Sequence, residues 1–250
     1  MHKIAIGAAV AVVGLTAGAC GTTSSGPGTT AHVGDLAGKT PAQILAVAIA
    51  AATAARTAHY AMTARNAGST QTISGDAGAD EGEQTVSQGK QQIKVVFVGA
   101  VAYVQGNASG LSAIMGLKPA TATTYAGKWI AIHKSDGTLY TSIAQSVTLV
   151  STLTQLEPSG TLSLTDVSTA TGRQVIGVRG GLPGPAQAGV TGSATYFVAT
   201  TRPTLPLRFT GKVTNGKQTA LDDGTFTRWG VPLHLQAPAT SVAFSSIPAA

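Results

Sequence analysis

Apolar residues between positions 41 and 57 recur at the spacing of one helix face. The recurring residues are Ile44, Leu45, Ala48, Ile49 and Ala52. Intervals of three and four residues place such side chains on one side of an α-helix, which then packs against an apolar partner. Thr40 precedes Pro41, and threonine as N-cap followed by proline is a typical helix start. We therefore predict a helix over residues 41–57.

After this helix the apolar residues fall into short runs bounded by glycine, proline and polar turns, which is typical of strands. The predicted strands cover residues 59–64, 70–74, 92–98, 100–104, 128–132, 162–167, 174–179, 194–200, 205–212, 225–229 and 232–236. Residues 75–83 are rich in glycine and acidic residues and are predicted as a loop. Residues 142–156 have apolar positions near helical spacing and predict a second helix, although Thr148 and Thr152 favour a strand.

The order of these elements is helix, strands, helix, strands. Such an order predicts an α+β fold with a large antiparallel sheet rather than alternating βαβ units. The runs Val95–Val98 and Tyr196–Ala199 are apolar at both parities, so both faces of these strands should be covered. Because aromatic residues make up only 5% of the chain, Val, Leu, Ile and Ala must fill the interior, or they leave part of it empty.

Residues 1–19 have the three parts of an export signal. Met1-His2-Lys3 is basic, residues 4–15 are apolar without interruption, and residues 16–19 are small. Cys20, the only cysteine, follows at once, as in a bacterial lipobox, where the cysteine becomes the lipidated first residue of the mature protein. Ordinary secretion with a free thiol is the alternative. We predict a signal peptide over residues 1–19, a lipidated cysteine with a flexible tether over residues 20–39, and a single domain over residues 40–250.

Ionisable residues are sparse and form no recognisable site motif. The net charge of +6 is spread over Lys and Arg residues that do not cluster, so we predict no nucleic-acid partner. The sequence has no G-x-S-x-G elbow, no phosphate-binding glycine loop after a strand and no H-E-x-x-H. His59, His133 and His234 lie in separate segments, and the acidic residues of segment 75–83 do not have EF-hand spacing. We expect no catalytic residue, no metal site and no cofactor, and therefore not an enzyme.

Four short features are spread over most of the mature chain. They are Cys20 with its polar tether, Gly127-Lys128-Trp129-Ile130, Leu205-Pro206-Leu207-Arg208, and Phe226-Thr227-Arg228-Trp229-Gly230 leading to Pro232 and Ala237-Pro238. Together they resemble the LppX/LprAFG-type lipoproteins of actinobacteria, whose fold is related to that of the LolA and LolB lipoprotein carriers. The resemblance implies a large antiparallel half-open β-barrel, with helices covering the concave face and enclosing a hydrophobic cavity for acyl chains.

The resemblance also directs attention to the apolar residues that would line such a cavity. The candidates are Val95, Phe97, Tyr103, Trp129, Ile132, Val150, Leu153, Phe197, Leu207 and Phe209. Strand alternation places Val95 and Phe97 on one face and Val96 and Val98 on the other, and we expect the first pair to face the cavity. For any single residue of this set, an ordinary packed core is the alternative.

These expectations describe a lipoprotein anchored through Cys20 to the outer face of the plasma membrane. Such a protein would bind or transport a lipid or lipidated glycoconjugate in the cell envelope without catalysis, as a monomer. Two alternatives of other classes stay open. One is an anchored sensor or regulatory protein-interaction module of the same fold, and the other is a hydrolase without a recognisable motif.

Overall fold

A computed structural model describes residues 34–183 and 189–248. In this part of the chain, five α-helices accompany one twelve-stranded sheet. The helices are α1 Pro41–Ala55, α2 Ala108–Met115, α3 Pro119–Tyr125, α4 Thr138–Val147 and α5 Leu149–Leu156. The strands are β1 Ala58–Asn66, β2 Ser69–Ala77, β3 Gly82–Gln88, β4 Gln91–Val98, β5 Val101–Gly106, β6 Ile130–Ile132, β7 Ser159–Ala170, β8 Arg173–Gly181, β9 Val190–Ala199, β10 Pro206–Asn215, β11 Gln218–Thr227 and β12 Val242–Ala243.

The sheet consists of two antiparallel meanders joined side by side. Strands β1 to β6 follow one another, with α2 and α3 inserted between β5 and β6, and strands β7 to β11 form the second meander. The pairing of β1 with β11 joins the two halves, and β12 adds a short parallel strand beside β6. The outermost strands, β7 and β12, are not neighbours, so the sheet stays open. The predicted α+β class and the half-open antiparallel sheet are confirmed.

Helix α1 begins where the sequence predicts. The Thr40 side chain accepts a hydrogen bond from the Gln43 backbone N–H, the Gln43 side chain accepts one from the Thr40 backbone, and Pro41 occupies the first turn. The helix ends two residues before the predicted limit, because Arg56 adopts a left-handed conformation with φ 67° and β1 follows at once. The apolar stripe of α1 packs over β7 to β10 and α5.

The second predicted helix is two helices. Helix α4 begins at Thr138, earlier than expected, and Thr148 separates it from α5 with an extended backbone at ψ 143°. The break is fixed by a link to the sheet, since the Leu149 N–H donates to the Gly78 carbonyl at 2.8 Å. The strand tendency of Thr148 is therefore real, but it is confined to one bridge with Gly78.

Two further expectations from the sequence are wrong, and two helices were missed. Most of segment 75–83 is strand, because β2 continues to Ala77 and β3 starts at Gly82. Residues 232–236 form no strand, since β1 and β2, beside which they lie, already have both edges paired. Helices α2 and α3 were not predicted, although Asn107 caps α2 by accepting a hydrogen bond from the Gly110 N–H and proline opens α3.

The start of the described chain is attached to the sheet. Residues Gly34–Leu36 form a 3-10 turn, and Leu36 is only 1% exposed. The Asp35 N–H donates to the Thr200 carbonyl, and the Asp35 carboxylate accepts from the Arg202 N–H. Residues 34–36, near the end of the segment predicted as a tether, are thus attached to the sheet through Leu36 and Asp35. Cys20 and the predicted signal peptide lie outside the described residues.

The described residues form two apolar cores on the helix-covered face of the sheet. The first core joins α1 and α5 to β1 and to β7–β11, and the second joins α2, α3 and α4 to β4–β6. Within the described ranges, no helix has the length and apolar character needed to cross a membrane.

Candidate ligand-binding cavity

A cavity of about 400 Å³ lies between the two cores. Strands β1, β2, β3, β10 and β11 form its floor, α4 and α5 form one wall, and Leu182 and Pro183 border it after β8. Its apolar lining residues are Tyr60, Met62, Ala64, Ile73, Leu156, Leu182, Pro183, Phe209, Val213 and Ala220. Its side-chain amides come from Asn66, Gln71, Gln84, Gln88 and Gln155.

The cavity exists because two neighbouring rows of side chains differ in size. One row crosses the helix-covered face from β9 to β2 as Tyr196, Phe209, Gly224, Met62 and Ile73, and the large side chains of this row fill the space below the helices. The next row, two residues along each strand, is named here the shallow row. It consists of Gly180, Ala194, Gly211, Asp222 and Ala64. Since these side chains reach less far from the sheet, the space above them stays open.

The deep end of the cavity is closed by a chain of buried hydrogen bonds. The Tyr60 hydroxyl donates to Gln84 Oε1 at 3.1 Å, Gln84 Nε2 donates to Ser146 Oγ at 3.0 Å, and Ser146 Oγ donates to the Ile143 carbonyl at 2.8 Å. Burial raises the pKa of Tyr60 well above its ordinary value, and the charges of Asp76 and Glu83 raise it further. The phenol is therefore neutral and serves as a wall that ties β1 and β3 to α4.

Asp222 is the carboxylate of the shallow row. It is half-buried, and burial raises the pKa of its carboxyl group. No hydrogen bond or ion pair joins it to another residue within the described ranges. The next residue, Asp223, points to the opposite face of β11, where Arg208 binds its two carboxylate oxygens at 2.9 and 2.8 Å. The two adjacent carboxylates thus have different environments.

The sequence candidates for the cavity fall in several places. Phe209 lines the cavity. Val95, Phe97 and Ile132 lie in the second core, where the Phe97 ring is 6.0 Å from that of Tyr140 in α4. The expected pair Val95 and Phe97 therefore faces the helices, but it does so beyond the cavity.

The other candidates are also outside the lining. Leu153 and Leu207 belong to the first core. Phe197 lies on the outer face, with the Arg208 guanidinium 5.5 Å from its ring centre. Val150 is 47% exposed, and Tyr103 and Trp129 are half-buried beside β4 and β6. The residues that sequence reasoning missed are mainly polar or small, such as Ala64, Gln71 and Asp222.

A second, smaller groove of about 220 Å³ lies near the start of β1. Asp76 lines it and accepts from His59 Nδ1 at 3.0 Å and from the Arg228 guanidinium. The His59–Asp76 pair was not predicted, because only the β1–β2 register brings the two residues together. Among the lining residues there is no serine, threonine or cysteine that the pair could activate. Across the described ranges, no group of three or more His, Cys, Asp or Glu residues is placed to hold a metal ion.

Comparison with known proteins gives structural similarities only. No protein-family model and no curated protein matches the chain. Among solved structures, LprF from Mycobacterium bovis is 13% identical, with a TM-score of 0.49 over 80% of this chain and 97% of LprF. The lipoprotein LppX from Mycobacterium tuberculosis is 14% identical, with a TM-score of 0.48 over 79% of this chain and all (100%) of LppX. MucB is 15% identical, with a TM-score of 0.34 over 84% of this chain and 62% of MucB. LprF and LppX belong to the family that the sequence resembles.

Proposed function

We propose that this protein is an exported, membrane-anchored lipoprotein that binds a lipid in the cavity above the shallow row and performs no chemistry on it. The observation that carries the proposal is the cavity itself, which has a volume of about 400 Å³ and an apolar lining continuous with the first core. Apolar clefts of several hundred Å³ with a few polar groups are the usual form of a small-molecule site.

The lining is suited to an amphiphile because it offers both apolar surface and side-chain amides. Met62, Ile73, Leu156 and Phe209 present apolar surface beside the cores. Asn66 and Gln88 stand at the ends of β1 and β3, next to the hairpin turns. An acyl chain would therefore lie against the apolar side chains, and its polar head would lie among the amides near the hairpin ends.

Two hydroxyl groups of the lining, those of Ser146 and Thr152, form structural hydrogen bonds. Ser146 Oγ donates to the Ile143 carbonyl, and Thr152 Oγ1 donates to the Thr148 carbonyl at 2.9 Å. No histidine is among the described lining residues, and Asp223 is bound by Arg208. The unpaired Asp222 lies between Ala64 and Gly211, which carry no hydroxyl group. A nucleophile needs an adjacent base to become reactive, so this lining favours binding over hydrolysis.

Filling the cavity tests the proposal. Ala64 lies in the shallow row, and Ala64→Trp would place an indole inside the cavity, in space that the lipid needs. We expect lipid occupancy to fall about tenfold or more, measured by native mass spectrometry of protein purified from its own host. The thermal midpoint should stay within a few degrees, because the new ring enters open space.

The matched control is Ala61→Trp. Ala61 lies on the same strand, is exposed and points to the opposite face. This variant should retain the lipid load of the unchanged protein. Equal loads in both variants would contradict binding in this cavity. Wild-type protein that carries a protein partner and no lipid would support the sensor alternative instead.

Membrane anchoring is tested at Cys20. The position of this cysteine after an apolar segment and four small residues supports lipidation, and multiple acyl chains give stable anchoring. If residues 21–33 act as a flexible tether, they would hold the described part of the chain about 20 Å from the membrane.

We expect Cys20→Ser to move the protein from the membrane fraction to the soluble fraction, while Ser24→Ala, a change within the tether, leaves it in the membrane. Identical fractionation of Cys20→Ser and wild type, with no diacylglyceryl mass on Cys20, would refute the anchor.

A further inference from the structure

The shallow row contains one ionisable side chain, that of Asp222, and its position is fixed by register. Asp222 pairs with Ala64 of β1 on one side and with Gly211 of β10 on the other. A Cβ atom built on Gly211 would lie 3.2 Å from the Asp222 carboxylate, so this carboxylate lies over the glycine. Both neighbours are too small to cover it, and it therefore borders the cavity directly.

The surroundings of Asp222 supply no positive charge. The ionisable lining residues are Tyr60, Asp222 and Asp223, of which Asp223 turns its carboxylate to the opposite face, where Arg208 binds it, and no Lys, Arg or His is among the described residues of the lining. Residues 184–188, which continue the chain after Pro183, have the sequence Gly-Pro-Ala-Gln-Ala and contain no ionisable side chain. Burial alone raises the pKa of the Asp222 carboxyl, with no cation opposing the shift.

Other carboxylates of the sheet contrast with Asp222. Asp223 is paired with Arg208, Asp76 with Arg228 and His59, and Glu83 with Lys94 at 3.3 Å. All of these lie on the outer face by strand alternation. The Asp222 carboxylate lies on the cavity side and has no partner in the described chain. A cationic group of a ligand would therefore be stabilised beside it.

We propose that the cavity selects an amphiphile whose polar head carries a protonated amine, with Asp222 as the residue that determines this specificity. The inference rests on the proposed lipid-binding function and names the chemistry of the head group. Hydrogen bonds to an ionised acceptor are stronger than neutral ones, and a partly desolvated site strengthens them further. The amide oxygen of Gln71, which pairs with Ala64 and faces the cavity, can accept a further ammonium proton.

The proposed preference for a cationic head group is the opposite of what the net charge of the whole protein favours. A net charge of +6 attracts anionic amphiphiles over the surface as a whole. A preference for a cation therefore identifies a local interaction, because the overall field acts in the opposite direction.

The test compares three probes with the same alkyl chain. Dodecylamine and dodecanoate are titrated into the protein below their critical micelle concentrations and dodecanol below its solubility limit, with isothermal titration calorimetry at pH 7 and 150 mM salt as the readout. We expect dodecylamine to bind about tenfold or more tightly than dodecanoate. Butylamine, which has the amine without the long chain, should not bind measurably, and this arm separates an amphiphile from a soluble amine.

The variants are Asp222→Asn and Asp223→Asn. Asp222 and Asp223 are neighbours on β11, and each substitution removes one negative charge. Only the Asp222 side chain faces the cavity. Asp222→Asn should abolish the preference for dodecylamine over dodecanoate and leave dodecanol affinity within a factor of two or so. Asp223→Asn should keep the preference. Thermal unfolding of both variants checks that they fold.

The possible failures are distinguishable. Dodecanol binding without a preference for the amine, or a preference that survives Asp222→Asn, would overturn the role of Asp222 and leave lipid binding intact. Binding of none of the three probes by the wild-type protein would overturn the proposed function and this inference together. If butylamine binds as tightly as dodecylamine, the ligand is a soluble amine. This result would overturn the proposal that the ligand is an amphiphile.

Discussion

Replacing Tyr196 by alanine is expected to lower the free energy of unfolding by about 3–5 kcal/mol, the range for removing a large buried aromatic side chain. Tyr196 is fully buried in the first core, and its ring is 5.9 Å from Phe209 and 6.4 Å from Phe226. Its hydroxyl donates to the Leu153 carbonyl. This carbonyl lies in the last turn of α5, where carbonyl groups have no partner within the helix.

The variant Tyr196→Phe separates the contribution of the buried ring from that of the hydroxyl hydrogen bond. It keeps the ring and removes the hydrogen bond to α5, so a loss of about 1–3 kcal/mol is expected. Chemical denaturation of both variants measures the difference. A loss below about 1 kcal/mol for Tyr196→Ala would show that this ring does not organise the first core.

Gly75→Ala is expected to destabilise the protein by about 3 kcal/mol, the upper part of the range for overpacking. Gly75 faces Tyr60 across the β1–β2 pair. A Cβ at this position would enter the Glu83 carbonyl oxygen and lie 2.9 Å from both the Gln84 Cα and the Tyr60 hydroxyl oxygen. Two of these three contacts are with backbone atoms, so the crowding cannot be relieved by a side-chain rotation.

Gly181→Ala provides the control for Gly75→Ala. Gly181 also lies in a strand, and a Cβ there would have its nearest contact at an ordinary 3.4 Å. Alanine should be neutral or slightly stabilising at this position, because it restricts the unfolded chain. Thermal and denaturant unfolding of the two variants should therefore differ clearly. Equal stability of both would mean that the β2–β3 pair relaxes at Gly75.

The fold could be predicted from the sequence where local signals are strong. The Thr40-Pro41 start and the apolar stripe of α1 specify a helix by short-range rules, and the structure agrees. The break at Thr148 could not be predicted in the same way, because it depends on a hydrogen bond to Gly78, far away in the chain. Residues 232–236 have a strand pattern, but no strand edge is left for them beside β1.

The cavity could be predicted as a feature but not as a set of residues. The resemblance led to large apolar candidates, yet large apolar side chains such as Val95 and Leu153 fill the cores. The opening lies where register aligns Ala64, Asp222 and Gly211 from three strands. Small and polar residues are common in sequence, and only the pairing of β1 with β11 makes these three neighbours.

The seam between β1 and β11 also has a consequence for the order of folding. His59 pairs with Thr227, although the two residues lie toward opposite ends of the described chain, and α1 packs on β7–β10. Contacts of such large sequence separation form slowly, because a long loop must close before they stabilise the chain. The β1–β6 meander with α2, α3 and α4 has its own core and can form from nearer neighbours. We expect the second core to form early and the seam late, so that the cavity, which spans the seam, is completed only after β11 has joined β1. A chain truncated after α5 would then retain most of the early core, without Ile247 and the β12 strand at its edge, and would have no cavity.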